Sequence, residues 1–299
     1  MIKSDGHSLV FFVLLTASLV VGVRPVIHTF ALSWRNDAYT HILLVLPVCL
    51  VLILLRRQRL QKVREWDFCV GPFIVVIAAA IACSARWGPV FLFSDELSAI
   101  EMCALVLAWI GIFAICLGVQ ACRSVLFPLL FLFGLVPIPN VTLNLIISWL
   151  QQGSAWSTHA LFALFNVPVI QRGVMLTIPG LTIQVAPECS SIRSSSMLFF
   201  TALVMAYVLL HSPWRRALVI LLAIPLSIAK NALRIFTIAM LGTRMDPGYL
   251  TGRLHHQGGE LFFIIALIVE LAILLLLRRE EALSPVPHLE VLRGSEDVV

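Results

Sequence analysis

Between Val185 and Arg193 the chain reads Val-Ala-Pro-Glu-Cys-Ser-Ser-Ile-Arg, and this stretch gathers more chemistry than any other part of an apolar sequence. Cys189 stands beside Glu188, with Pro187 marking the start of a helix. Arg193 follows four residues later, so within a helix the two would share a face. A thiol at a helix N-terminus with a guanidinium one turn away has two causes for a lowered pKa, the positive end of the helix dipole and the nearby cation. The thiolate is the nucleophile, which makes Cys189 the candidate around which the chain is organised.

Two further clusters could work with it. Lys230-Asn-Ala-Leu-Arg234 lies inside a long apolar run. A charge within a membrane helix costs several kcal/mol unless it snorkels or pairs, so it marks a site to inspect. Asn231 and Arg234 share a face at i,i+3, and Lys230 and Arg234 at i,i+4. Either the two cations snorkel to headgroups, or Arg234 supplies a planar fork for an oxyanion or a substrate carboxylate. Leu254-His-His-Gln-Gly-Gly-Glu260 precedes the last apolar run. A histidine there, His255 or His256, can take a proton from a thiol and return it to a leaving amine. Alternatively, both are solvated loop residues or hold a stray metal. Gly258 and Gly259 permit close backbone approach. Cysteine, histidine and a positioning cation together suit nucleophilic acyl transfer.

The other polar residues have less company. Among His7, His28, His41, His159, His211 and His288, only His41, close to Asp37 and Tyr39, is held as a substrate contact, and interface anchoring is its plainer role. Glu101 and Glu270 sit in apolar runs and could pair across helices. The seven cysteines show no CxxC and no zinc spacing, so no structural metal, redox pair or other cofactor is indicated. The remaining six cysteines read as small core residues in or beside apolar runs.

Composition decides what must position these groups. Hydrophobic residues make up 60% of the chain and charged residues 12%, with mean hydropathy +0.99. Soluble domains carry about 45–50% apolar and about 25% charged residues. The fold class is therefore all-α and polytopic in a lipid bilayer. About eight transmembrane helices are expected, near 8–23, 40–55, 69–85, 100–117, 124–136, 191–210, 217–241 and 259–277. Residues 141–165, with Trp149, Gln151, Gln152, Trp156 and His159, read as an interfacial amphipathic helix. Residues 167–185, β-branched with glycines at turns, read as a small hairpin on the outer face. Residues 1–285 are expected to be one transmembrane domain and 286–299 a disordered cytoplasmic tail.

The formal net charge of +5 reflects membrane topology and not nucleic-acid binding. Residues 56–64 carry five basic residues in nine, the strongest inside signal. Threading the spans from there puts Arg123, Arg215, Arg216, Arg278 and Arg279 inside too. Cys189, Arg234 and the 242–258 loop then fall together on the outer face.

Taken together, Pro-Glu-Cys-Ser-Ser-Ile-Arg at 187–193, Asn-Ala-Leu-Arg at 231–234, and His255 ahead of Gly258-Gly259 and Phe262-Phe263 resemble the exosortase/archaeosortase family. These are polytopic membrane cysteine proteases and transpeptidases. The resemblance extends to Val-Pro-Ile-Pro at 136–139 and, weakly, to Tyr39-Thr-His41. It implies Cys189 as nucleophile, Arg234 as catalytic arginine and His255, in preference to His256, as catalytic histidine. Glu188, Arg193, Asn231 and His256 would support them. Ser191 departs from the glycine many members have after the Cys-Ser pair, a change that bears on subfamily.

The resemblance also implies a partner and a location. The partner is the C-terminal tail of secreted bacterial proteins: a Pro-Glu-Pro-like motif, one membrane helix and a basic cluster. The setting is the inner membrane, with the site on its periplasmic face, in association with protein sorting and exopolysaccharide production. The acceptor nucleophile is left open, and no nucleic acid is involved. The alternative is a membrane scaffold or transport component of exopolysaccharide machinery, which would spread its charges through the membrane depth. Fusing a phosphatase that is active only outside the cytoplasm after residue 248 should give activity, and fusing it after residue 60 should give none. The reverse pattern would invert the threading.

Overall fold

Prolines and glycines cut the first half of the chain into short helices, whereas the second half has long ones. The computed structural model describes residues 3–62, 65–87, 94–185, 192–250 and 253–283. Its contacts divide the chain into two compact units, 1–147 and 148–299.

The first unit holds α1 (Lys3–Val21), α2 (Val23–Arg35), α3 (Ile42–Leu55), α4 (Arg57–Lys62), α5 (Val70–Trp87), α6 (Ser94–Leu117), α7 (Val119–Ser124), α8 (Leu126–Phe131) and the beginning of α9 (Asn140–Leu164). α1 and α2 meet at Gly22 with a 71° bend. The Tyr39 hydroxyl donates to the Ile138 carbonyl at 2.9 Å and so holds the Pro137-Ile-Pro139 break that ends α8 and its 3-10 turn. Arg56, at the start of the basic stretch, donates from Nη1 to the Ser124 carbonyl at 2.7 Å.

The second unit holds most of α9, then β1 (Ile170–Arg172), β2 (Met175–Ile178), β3 (Leu181–Gln184), α10 (Ile192–Leu209), α11 (Pro213–Arg244) and α12 (Arg253–Leu283). The strands form one antiparallel meander in the order β1-β2-β3, with Arg172 opposite Met175 and Ile178 opposite Leu181. Its second turn is Pro179-Gly180, and φ is +81° at Gly180, the backbone that a type II turn demands of its third residue. Alternation puts Leu176 and Ile178 on the buried face, against Ala155 and Phe162 of α9 and Ile235 and Ala239 of α11.

α11 is 32 residues, about 48 Å of helix, whereas a hydrocarbon core is about 30 Å thick. The helix is therefore longer than the core is thick, and the sheet packs on its C-terminal part, at Ile235 and Ala239. The other end is clamped by polar groups. Arg215 Nη1 donates to the Leu277 carbonyl at 2.9 Å, Arg216 Nε donates to the Leu210 carbonyl at 2.8 Å, and the Glu281 carboxylate accepts from the backbone N–H groups of His211 and Ser212. Between the ends, Ala202, Ala206, Ala223 and Leu274 close an apolar contact among α10, α11 and α12.

These elements confirm a helical membrane protein with a small sheet and refine the count. Among the described residues five helices are long and apolar enough to cross a bilayer, or seven if each bent pair is one span. All eight expected segments are helical, but they are not equivalent. Residues 8–23 and 124–136 belong to bent pairs, and Val70–Ala85 is a shorter apolar helix. The helix expected over 141–165 is α9, the second half of a bent pair, and the expected hairpin has three strands. The polar loop expected over 242–258 is shorter, because α11 continues to Arg244 and α12 begins at Arg253. The tail from residue 284 lies outside the described residues.

Glu270 on α12 is 2% exposed, and neither carboxylate oxygen has a hydrogen-bond partner among the described residues. An unsatisfied buried polar group costs about 1–3 kcal/mol. Glu270→Leu should therefore raise the thermal midpoint of the detergent-solubilised protein, and a fall would show that the carboxyl stabilises the fold.

Candidate active site

Cys189 and Glu188 lie outside the described residues, but the chain is fixed on both sides of them. On the N-terminal side, Val185 ends the sheet. Its N–H donates to the Val174 carbonyl at 3.0 Å, and its own carbonyl accepts from Gln151 Nε2 at 2.9 Å. On the C-terminal side, α10 opens at Ile192, and two serines of its first turns bind α11: Ser194 Oγ accepts from Lys230 Nζ, and Ser195 Oγ accepts from Ser227 Oγ. Residues 186–191 join these two anchors, and the expected helix face shared by Cys189 and Arg193 falls in part outside the described residues. Arg193 itself is exposed in the first turn of α10.

The 230–234 motif lies within α11, and its polar side chains turn to three different neighbours. Asn231 is 1% exposed and donates from Nδ2 to Ser154 Oγ on α9 at 3.0 Å. Lys230 is buried at 6% exposed and turned onto Ser194, so the snorkelling reading does not hold for it. Arg234, half-buried one turn further along, faces α12. A Cβ placed on Gly259 would stand 3.7 Å from Arg234 Nη1 and 3.8 Å from its Cζ. These are ordinary van der Waals distances, so the guanidinium packs against α12 at position 259.

His255 and His256 are in the opening turns of that same helix and not in a loop; their side chains lie outside the described residues. His255 lies four residues and His256 three residues before Gly259 in the helix. His41, 4% exposed at the start of α3, belongs to the first unit.

A family model of transmembrane exosortases matches residues 33–272, a stretch that contains all three motif positions. The chain belongs to the transmembrane exosortase family. No curated protein and no solved structure matches it.

Sequence reasoning passed over the groups that frame the site in this exosortase. Gln151 reads from the sequence as interfacial polarity on α9, whereas Ser154, the Ser194-Ser-Ser196 run and Ser227 go unremarked there. The available signal was small hydroxyl residues within apolar runs, which in membranes commonly bond across helices.

The structure also separates the cysteines. Cys49 and Cys116 are buried. At Cys122, burial and then the nearby Asp67 carboxylate push the thiol up to about 11. A raised thiol pKa leaves less thiolate at any lower pH, about one part in a thousand at pH 8, against about a quarter for an ordinary thiol. Iodoacetamide at pH 8 should therefore modify exposed Cys69 and leave Cys122 untouched, with Cys122 reactivity climbing about tenfold per pH unit up to about pH 11. Equal labelling of the two at pH 8 would contradict the partial burial of Cys122.

Proposed function

We propose that this exosortase is a membrane-embedded cysteine peptidase or transpeptidase. It removes the C-terminal sorting signal of secreted proteins through an acyl-enzyme on Cys189. The observation that carries the reading is the passage of Arg234 over Gly259, which sets a guanidinium from α11 one turn from His255 on α12. Three residues separate Cys189 from Ile192, so its Cα lies within about 11 Å of the Ile192 Cα on any path. The nucleophile therefore stays at the end of α10 that Lys230 and Ser194 pin to α11.

In this reading the Cys189 thiolate attacks the scissile carbonyl, and Arg234 donates two N–H groups to the oxyanion as the tetrahedral intermediate forms. Collapse breaks the C–N bond, and His255 delivers its proton to the departing amine. The thioester then passes its acyl group to an amine, giving transpeptidation, or to water, giving hydrolysis, and the thiolate is regenerated. The substrate's own membrane helix packs laterally among the spans and brings its Pro-Glu-Pro-like motif to the site on the outer face of the inner membrane. Asn231, through Ser154, fixes the rotation of α11 on which the aim of Arg234 depends.

Co-expression with a tagged substrate bearing the tripartite tail, followed by intact-mass measurement, tests this. Cys189→Ala, Arg234→Ala and His255→Ala should each abolish trimming, a loss of at least about a hundredfold. His256→Ala should retain it. An added mass on the trimmed product identifies transpeptidation, and a bare carboxylate identifies hydrolysis. Trimming that survives Cys189→Ala would remove the acyl-enzyme and favour the scaffold or transport reading.

A further inference from the structure

Among the described residues of its own unit, no carboxylate pairs with Lys230. The residue is 6% exposed within a membrane-spanning helix, and among the described residues its ammonium has one partner, the neutral Ser194 hydroxyl. A buried charge is tolerated when it is paired, and a hydroxyl orients an ammonium without neutralising it. The described carboxylates of the second unit are placed elsewhere. Glu281 closes the far end of the helices against His211 and Ser212, Glu280 is exposed beside it, Asp246 accepts from the Gly248 N–H at 2.8 Å, and Glu260 is exposed. Glu270 is buried further along α12 and makes no hydrogen bond among the described residues. Arg234, one turn along the same face, adds a second positive charge where one is already costly.

We infer that Lys230, held by Ser194, is the specificity residue that receives an acidic side chain of the substrate close to the scissile bond. The inference rests on the proposed peptidase reading and names what that site selects. An incoming carboxylate supplies the missing counter-charge, and the low-polarity surroundings that make the lone ammonium costly also make the pair strong. Geometry sets the register. Lys230 and Arg234 are four residues apart, about 6 Å along the helix, and an extended peptide advances about 3.3 Å per residue. With Arg234 on the oxyanion, the carboxylate that Lys230 reads belongs to a residue about two positions from the cleaved carbonyl.

The test uses the full-length Cys189→Ala protein in nanodiscs, which binds without turnover. Two fluorescent peptides serve as probes, each with an apolar helix and a basic cluster, one with Pro-Glu-Pro ahead of the helix and the other with Pro-Gln-Pro. The glutamate peptide should bind about tenfold more tightly, the factor that one charge-assisted hydrogen bond supplies. Lys230→Met should erase that preference by weakening the glutamate peptide alone, and Lys230→Arg should keep it. Should Lys230→Met not fold, Lys230→Gln, which retains a donor for Ser194, gives the same comparison. Equal binding of the two peptides, or equal weakening of both by Lys230→Met, would overturn the inference. If wild type trims the tail in cells while showing no glutamate preference, Lys230 alone loses its role. If nothing is trimmed and neither peptide binds, the peptidase reading falls with it.

Discussion

A positive charge placed inside an apolar helix bundle has to be solvated by the protein, and in this exosortase hydroxyls do it. Lys230 goes to Ser194, Asn231 to Ser154, and the neighbouring Ser227 to Ser195. These contacts tie α11 to α10 on one side and to α9 on the other. Removing either partner would leave a polar group stranded in a low-dielectric interior, so each bond fixes a helix rotation as well as a distance. The orientation of Arg234 follows, since it shares a rigid helix with Lys230 and Asn231. The placement of Arg234 thus follows from keeping polar groups satisfied within the helix bundle.

How much of this could be read from the sequence varied with the range of the interaction. The motifs at 187–193, 231–234 and 255–259 were legible because nucleophile, cation and glycine pair stand out against an apolar background. The helices α10, α11 and α12 were legible too, because each is one uninterrupted apolar run between polar turns. The bent pairs were not. Hydropathy over 8–23 or 124–136 is the same whether a segment crosses the bilayer alone or turns back at Gly22 or at Pro137-Ile-Pro139. Nor did hydropathy reveal α2, in which Arg24, Pro25, His28 and Arg35 interrupt the apolar pattern. The length of the 242–258 loop is overestimated for a related reason: Arg253, His255 and His256 are polar, yet they lie within α12.

The serine seam escaped notice on different grounds. Which hydroxyl meets which donor depends on the crossing of α9, α10 and α11, a property of three segments that lie up to about eighty residues apart and that no local pattern encodes. Gln151 illustrates the same limit. It resembles other polar residues on an interfacial helix until the path of the chain shows its amide holding the last carbonyl of the sheet. The sheet, in turn, was predictable as strands from β-branched residues and glycines, but its purpose as an anchor for the segment carrying Cys189 is tertiary.

The excess length of α11 has one more consequence. The helix is a rod clamped at its Arg215–Leu277 end and loaded with functional groups at the other, so the depth of Arg234 below the headgroups is set by counting residues from the clamp. Membranes differ in hydrocarbon thickness by several ångströms, and a rod of fixed length adjusts by tilting or by deforming the lipid around it. In a thicker bilayer Lys230 and Arg234 are drawn toward the acyl chains; in a thinner one they rise toward water, where their electrostatic interactions weaken. Lipid composition thereby becomes a tuning variable for this exosortase, acting through geometry and needing no lipid-binding site.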